Sequence, residues 1–209
     1  MVNWLNNEII ICVLSHTLFI FLDGIATSFG VLLGPLVKSF GSNRSTVSWI
    51  GSLMIGVYNL SGPVVSLLIK KFSLRAVIIF GSILSCTALL LSTLSPNIHV
   101  LMISYGIIGG FGVGMIYLPS VIIVGYYFES KRSLATGIAT CGSGVGSFVV
   151  PPLANYILTQ FESWISVFIM FGVMCFSCSI FGSLMKPLDS EKDLSENSKG
   201  TTFYISFEI

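Results

Sequence analysis

Apolar residues run along this chain in blocks of about twenty, divided by short polar breaks. Six blocks, at residues 9–37, 47–69, 74–94, 100–126, 134–158 and 164–185, are each long enough to cross a hydrocarbon layer of about 30 Å as a helix. They lack the alternation of barrel strands. In a bilayer the backbone must satisfy its own hydrogen bonds, so the pattern predicts an all-α membrane protein of six transmembrane helices. The first span is long enough to tilt. The fifth is expected to be interrupted at Pro151-Pro152. The connections are short, as in a compact bundle.

Plotted at helical period, three spans carry polar stripes. His16, Asp23, Thr27, Gly30 and Gly34 share a face of the first. Ser48, Ser52, Asn59, Gly62 and Ser66 share a face of the second, and Thr136, Thr140, Ser143 and Ser147 a face of the fifth. Beside the last stripe run Ala135, Ala139, Gly142 and Gly146, small enough for close helix contact. Gly106, Gly110 and Gly114 form a second small-residue face in span 4. Asp23 is the sharpest single residue. An ionised carboxylate at mid-membrane costs about 2.5–3.5 kcal/mol on insertion scales, so it must face the bundle interior, be paired, or be protonated. It reads as a substrate or proton site. His16, two turns away and about 10 Å along the axis, reads as a packing residue.

Composition and charge agree with the bilayer. The chain has 209 residues, 54% hydrophobic and 9% charged, against about 25% charged in soluble domains. A net charge of +1 argues against a nucleic-acid partner. Lys70, Lys71, Arg75, Lys131, Arg132 and Lys186 fall on one side of the spans, and Lys38 and Arg44 on the other, which places both termini in the cytoplasm. Asn43-Arg44-Ser45 is a glycosylation sequon on the outer side, so close to span 2 that Ser42 or Ser45 is expected to serve as a helix cap. Trp49, Trp164 and Tyr126-Tyr127 fit an interfacial aromatic belt. The first block lacks a preceding basic residue and a clear small-residue cleavage site, so it reads as a span rather than a signal peptide. Residues 1–188 are expected to form the membrane domain and 189–209 a polar cytoplasmic tail. The tail's end, TTFYISFEI, is β-prone and nearly uncharged.

Candidate chemistry is sparse. The sequence holds no Ser/His/Asp set with a common site, no metal-ligand spacing and no paired carboxylates within one span, so neither an enzyme nor a cofactor is expected. Cys175 and Cys178 form C-x-x-C inside an apolar span, where they serve as packing residues. The run GGFGVG lies at membrane depth with no strand before it, unlike a nucleotide loop.

One run, Tyr127-Phe128-Glu129-Ser130-Lys131-Arg132-Ser133-Leu134-Ala135-Thr136-Gly137-Ile138-Ala139 with Gly142 and Gly146, is more specific. It resembles the YF-x-x-[KR]-R-x-L-A-x-G-x-A-x-x-G-x-x-x-G signature between helices 4 and 5 of the monocarboxylate transporter family, within the major facilitator superfamily. Ser28-Phe29-Gly30-Val31, Val47-Ser48-Trp49-Ile50, Gly62-Pro63 and Leu184-Met185-Lys186-Pro187 support it. The resemblance implies the N-terminal six-helix half of a two-half fold, with a small organic solute bound between the halves near the midplane. It implies alternating access at the plasma membrane, with proton-coupled symport in part of the family. In this family the second half contributes an acidic and a basic residue to carboxylate binding and proton movement. By the resemblance, the lining positions are Asp23 and Thr27 in span 1, Ile55 and Asn59 in span 2, and Thr136 and Thr140 in span 5. Arg132 takes the place of a cytoplasmic gating arginine.

The departures concern substrate. The acidic-Gly-Gly-Trp-Gly-Trp motif that opens helix 1 in the family has no match; Asn3 to Glu8 stands there. Proton-coupled members carry lysine where this chain has Thr27 and tyrosine where it has Asp23, and several others carry arginine at the Thr27 position. Without that cation a carboxylate solute loses its partner, and cationic, zwitterionic and neutral solutes enter on equal terms. The expected partners are therefore a small organic solute, protons, the bilayer, and either a second transporter half or a single-span immunoglobulin-like chaperone. A second expectation is a truncated, non-transporting form that associates with a full-length transporter and is retained in the endoplasmic reticulum. The polar stripes would face lipid in a lone half.

Overall fold

The computed structural model describes the backbone of residues 2–127 and 132–184 and the side chains of residues 12–125 and 133–184. Among these the chain is helical, with no strand. Its elements are α1 (Val2–Phe40), α2 (Arg44–Leu60), α3 (Gly62–Lys71), α4 (Leu74–Thr93), α5 (Ile98–Leu101), a π-helical segment (Met102–Gly109), α6 (Gly110–Tyr127), α7 (Arg132–Phe161) and α8 (Trp164–Leu184). Five helical runs are long and apolar enough to cross a membrane singly: Cys12–Phe40, Leu74–Thr93, Ile98–Gly125, Ser133–Phe161 and Trp164–Leu184. The bent pair α2–α3 supplies the sixth. The hinge residues 128–131 and the tail expected from 189 onward lie outside the described residues.

Three details differ from the sequence expectation. The second span is not one rod; α2 and α3 meet at 45° across Ser61. Pro63 has no N–H, and in a straight helix its ring would crowd the carbonyl of Asn59 one turn back, so the helix bends there. The Ser61 hydroxyl donates to the Tyr58 carbonyl at 2.7 Å, satisfying an acceptor at the bend. The fifth span is not interrupted; α7 runs through Pro151 and Pro152 as one helix. Membrane helices carry such prolines where neighbouring groups and local adjustments satisfy the freed carbonyls. At the sequon, Asn43 itself occupies the N-cap of α2 with extended backbone and no side-chain capping bond. Ser42 bonds instead to the Phe40 carbonyl, and Ser45 lies within the helix. The chain turns out of α1 at Gly41, whose φ of +58° favours glycine.

Small residues set how closely the helices approach. The most extensive contact is α1 on α7. There Ala135, Ala139, Gly142, Gly146, Val150 and Ala154 are all buried, extending the predicted stripe by two turns. A Cβ on Gly142 would overlap the His16 carbonyl, one on Gly146 the Ile20 carbonyl, and one on Gly24 the Val150 side chain. The second predicted stripe seats span 4 on α2. Gly106 lies against Leu53, Gly110 against the Met54 backbone, and Gly114 against Ser61 and the Tyr58 carbonyl. The GGFGVG run is thus a helix-packing surface. Cys175 and Cys178 are fully buried in the core, as expected of packing residues.

The core is aromatic where α1, the π-helical segment and α8 converge. Tyr105 stacks on Phe29 at 5.4 Å and meets Phe168 edge-on at 5.3 Å. Trp164 closes one end of the bundle by packing on Phe40 and donating Nε1–H to Ser39 at 3.1 Å. Between α4 and the π-helical segment, the buried hydroxyls of Ser92 and Ser104 are 2.8 Å apart. Ser92 also donates to the Ala88 carbonyl. Interhelical bonds of this kind are worth about 0.6 kcal/mol on average in membranes and up to about 1.7. Ser104→Ala is therefore expected to lower the melting temperature of the detergent-purified chain by a few degrees while the fold survives. An unchanged melting temperature would show that this contact holds nothing.

Candidate functional site

The three polar stripes stay at the surface of the bundle. On α1, Asp23 is half-buried while Thr27, Gly30 and Gly34 are exposed. On α2, Ile55 and Asn59 are exposed. On α7, Thr136, Thr140, Ser143 and Ser147 are half-buried, each beside a buried small residue of the α1 seam. The same helix geometry that buries the small stripe leaves the polar one at its edge.

Each predicted pair is tied within its own helix. The Thr27 hydroxyl donates to the Asp23 carbonyl at 2.8 Å, and Asn59 Nδ2 donates to the Ile55 carbonyl at 2.8 Å. The Thr140 hydroxyl donates to the Thr136 carbonyl at 2.9 Å. These bonds spend the hydroxyl protons on backbone carbonyls, so Thr27 and Thr140 offer lone pairs outward. With one amide hydrogen held by Ile55, the Asn59 amide oxygen is available too.

The aromatic links between helices come from residues outside the predicted set. Ser143 of α7 lies near the Asp23 carboxylate, and Tyr58 of α2 lies within reach of its charge. The rings of Tyr58 on α2 and Tyr117 on α6 meet edge to face at 5.1 Å. The Tyr117 ring also meets Phe19 edge-on at 5.0 Å. Tyr117 of α6 thus links Tyr58 of α2 to Phe19 of α1, one helical turn from Asp23. Ser143 stood on the predicted α7 stripe. Tyr58 and Tyr117 did not, since a tyrosine inside an apolar run reads as apolar, although Tyr58 is the immediate neighbour of Asn59.

His16 is accounted for separately. Its Nδ1 lies 3.0 Å from the Ile138 carbonyl across the α1–α7 seam. It clasps two helices, the packing role expected of it. Arg132 opens α7, and its side chain lies outside the described residues. The described residues hold no group of three metal-ligating side chains. Inside the spans Asp23 is the single acidic residue, and the described basic residues Lys38, Arg44, Lys70, Lys71 and Arg75 sit at helix ends. An open hollow of about 600 Å³ between the end of α1 and the α7–α8 turn is lined by Gly34, Lys38, Glu162 and Trp164. It lies about three to four helical turns beyond Asp23 along α1.

Comparison with known proteins agrees with this architecture. Residues 13–205 match the sequence profile of the Major Facilitator Superfamily. The chain is 32% identical over 179 residues to monocarboxylate transporter 14 of Homo sapiens, covering 86% of this chain and 35% of that protein. It is 37% identical over 180 residues to monocarboxylate transporter 9 of Mus musculus, covering 83% and 35%. It is 33% identical over 171 residues to monocarboxylate transporter 2 of Homo sapiens, covering 82% and 36%. The chain thus spans about a third of the length of these relatives.

Proposed function

Because this chain belongs to the major facilitator superfamily, we propose that it forms one six-span half of a secondary transporter for small organic solutes. The observation that carries this reading is the polar face on an apolar bundle. Asp23, Thr27, Asn59, Thr140 and Ser143, from three different helices, lie half-buried or exposed beside seams that are tightly closed. Facing lipid, such a face would be costly; facing a second half, it lines an aqueous path. Solute would move by rocking of the halves about that path. Thr27, Ile55, Asn59, Thr136 and Thr140 would line it. Arg132 would gate its cytoplasmic end. The complementary half would come from a longer protein or from a second copy.

The reading extends to coupling and address. Asp23, the single carboxylate within the spans, is the group that would carry a proton. The cluster of Lys70, Lys71 and Arg75 at one end of the bundle, against Lys38 and Arg44 at the other, fits a multi-pass protein of the plasma membrane with cytoplasmic termini. A single-span immunoglobulin-like chaperone is a candidate companion there. Nothing in the face resembles a nucleophile with its base, so the chain would move its solute unaltered.

The test is uptake of labelled lactate, betaine and choline by cells in which the chain is confirmed at the surface. At least one solute is expected to enter above background, at a rate that varies with external pH. Asp23→Asn is expected to flatten that pH profile. Absence of uptake for all three, with surface protein present, would overturn transport by this chain. An unchanged pH profile in Asp23→Asn would remove its proton role.

A further inference from the structure

The hollow between the end of α1 and the α7–α8 turn lies apart from the polar face and has a chemistry of its own. We infer that it binds a small zwitterionic solute, whose carboxylate pairs with Lys38 and whose ammonium or quaternary amine group lies against Glu162 and the Trp164 ring. Its use as the place where a solute is first held rests on the reading of the chain as half a transporter; the binding itself does not.

The first ground is shape. The hollow has a volume of about 600 Å³, within the roughly 300–1,000 Å³ of small-molecule sites. Gly34 and Pro35 leave its α1 side without long side chains. A Cβ added at Gly34 would meet nothing within 4 Å. Trp164 lines the hollow and is fixed in place. Its Nε1–H donates to Ser39 at 3.1 Å, and its ring packs on Phe40 at 5.7 Å and on Phe168 at 5.6 Å. A wall held in this way needs no ordering when a ligand arrives. An indole face is also the best aromatic partner for an ammonium or quaternary amine.

The second ground is charge. Lys38, from α1, and Glu162, from the turn, line this one hollow and are its only charged residues. Among the described residues neither has an ion-pair partner. An ammonium and a carboxylate that border one open space can each take the opposite pole of a zwitterion. A solute with a single charge leaves one of them unmatched. The third ground is backbone. Glu162 has φ of +51° and is the one non-glycine residue with positive φ among those described. It directly follows α7, where a chain leaving a helix in the left-handed region favours glycine. The chain leaves α1 in that way through Gly41. It leaves α7 through a glutamate instead. A negative charge just before α8 gains something from the start of that helix, but less at an exposed position than the left-handed backbone costs. The carboxylate is thus held at the hollow against the preference of its own backbone, as at sites where a side chain is used.

The test is equilibrium binding of labelled betaine to the chain purified into lipid nanodiscs. Choline and lactate, each carrying one of betaine's two charges, serve as competitors. Betaine is expected to bind about tenfold tighter than either. Lys38→Gln and Glu162→Gln are each expected to weaken betaine roughly fivefold or more. Asp23→Asn, about three to four helical turns away, is expected to leave it unchanged. Glu162→Gly removes the carboxylate and relieves the backbone together. It is expected to melt no lower than the unaltered chain while losing betaine as Glu162→Gln does, which separates a bound solute from a structural role. No betaine binding at roughly 10 mM, where even a weak site fills, would overturn the site. So would choline or lactate bound as tightly as betaine, betaine binding lost in Asp23→Asn but kept in Lys38→Gln, or undiminished binding in Glu162→Gly. Betaine binding that depends on Lys38 and Glu162, with no uptake of any of the three solutes, would overturn transport by this chain and leave the site standing. Uptake without betaine binding, unaffected by Lys38→Gln and Glu162→Gln, would do the reverse.

Discussion

Gly146→Val is expected to prevent the chain from being recovered as a folded, monodisperse protein after detergent extraction. At this position α7 meets α1 backbone to backbone, and a Cβ would fall on the Ile20 carbonyl. A flexible side chain could swing away from such an overlap, but a carbonyl in mid-helix cannot. The only relief is to part the two helices along their whole seam, from Ala135 to Ala154. Overpacking in a tight core commonly costs about 1–3 kcal/mol and occasionally more. Here the obstacle is backbone, and Gly142 against the His16 carbonyl and Gly24 against Val150 hold the same seam from either side, so the upper end of that range applies. Alanine at Gly137 or Gly144 makes the contrast. Both positions lie on the same helix and face open space. A helical Gly→Ala change there gains up to about 1 kcal/mol, so both variants are expected to melt at or above the unaltered chain. The check is the monodisperse fraction by size exclusion together with the melting temperature. If Gly146→Val behaves like Gly144→Ala, the α1–α7 seam is not what organises the bundle.

That seam was legible in the sequence because its cause is local. Small residues four apart on one helix mark a close approach whatever the partner is, and the same holds for Gly106, Gly110 and Gly114. The spans were legible because each is one apolar block. The polar stripes were legible because helical period alone puts Thr136, Thr140 and Ser143 on one face. Structure decided where two local rules competed. Pro63 bends its helix, whereas Pro151 and Pro152 do not break theirs. Each proline removes the same N–H, so the difference lies in the surroundings rather than in the residue type. The π-helical segment at Met102–Gly109 left no mark in the hydropathy pattern, since widened turns do not change which residues are apolar.

The site was half legible for a related reason. Asp23 stood out because a carboxylate in an apolar span is costly. Its surroundings depend on how four helices cross and rotate, which no single stripe encodes. Tyr58 and Tyr117 are 59 positions apart in sequence and meet only because Gly110 and Gly114 let α6 settle onto α2. Ser143 comes near Asp23 only because Gly142 lets α7 approach α1. The stripes of small residues and the polar site are thus one construction: the glycines set the distance at which the polar neighbours meet.

The central claim, that the α1–α2–α7 face lines water rather than lipid, is tested most directly by cysteine reactivity in the membrane. Cys12, Cys86 and Cys141 would be replaced by alanine, while the fully buried Cys175 and Cys178 stay as unreactive core residues. Single cysteines would then be placed at Ile55 and Asn59 on the candidate path and at Phe80 and Phe176 on α4 and α8. Exposure alone does not separate them: Ile55 is 46% exposed, Phe80 60% and Phe176 55%. They differ in what they face. Thiol modification proceeds through the thiolate, which forms in water and is suppressed in hydrocarbon. With a membrane-impermeant charged methanethiosulfonate, the account predicts that Ile55→Cys and Asn59→Cys react at least tenfold faster than Phe80→Cys and Phe176→Cys. Equal reactivity at all four positions, or inert cysteines at Ile55 and Asn59, would contradict it.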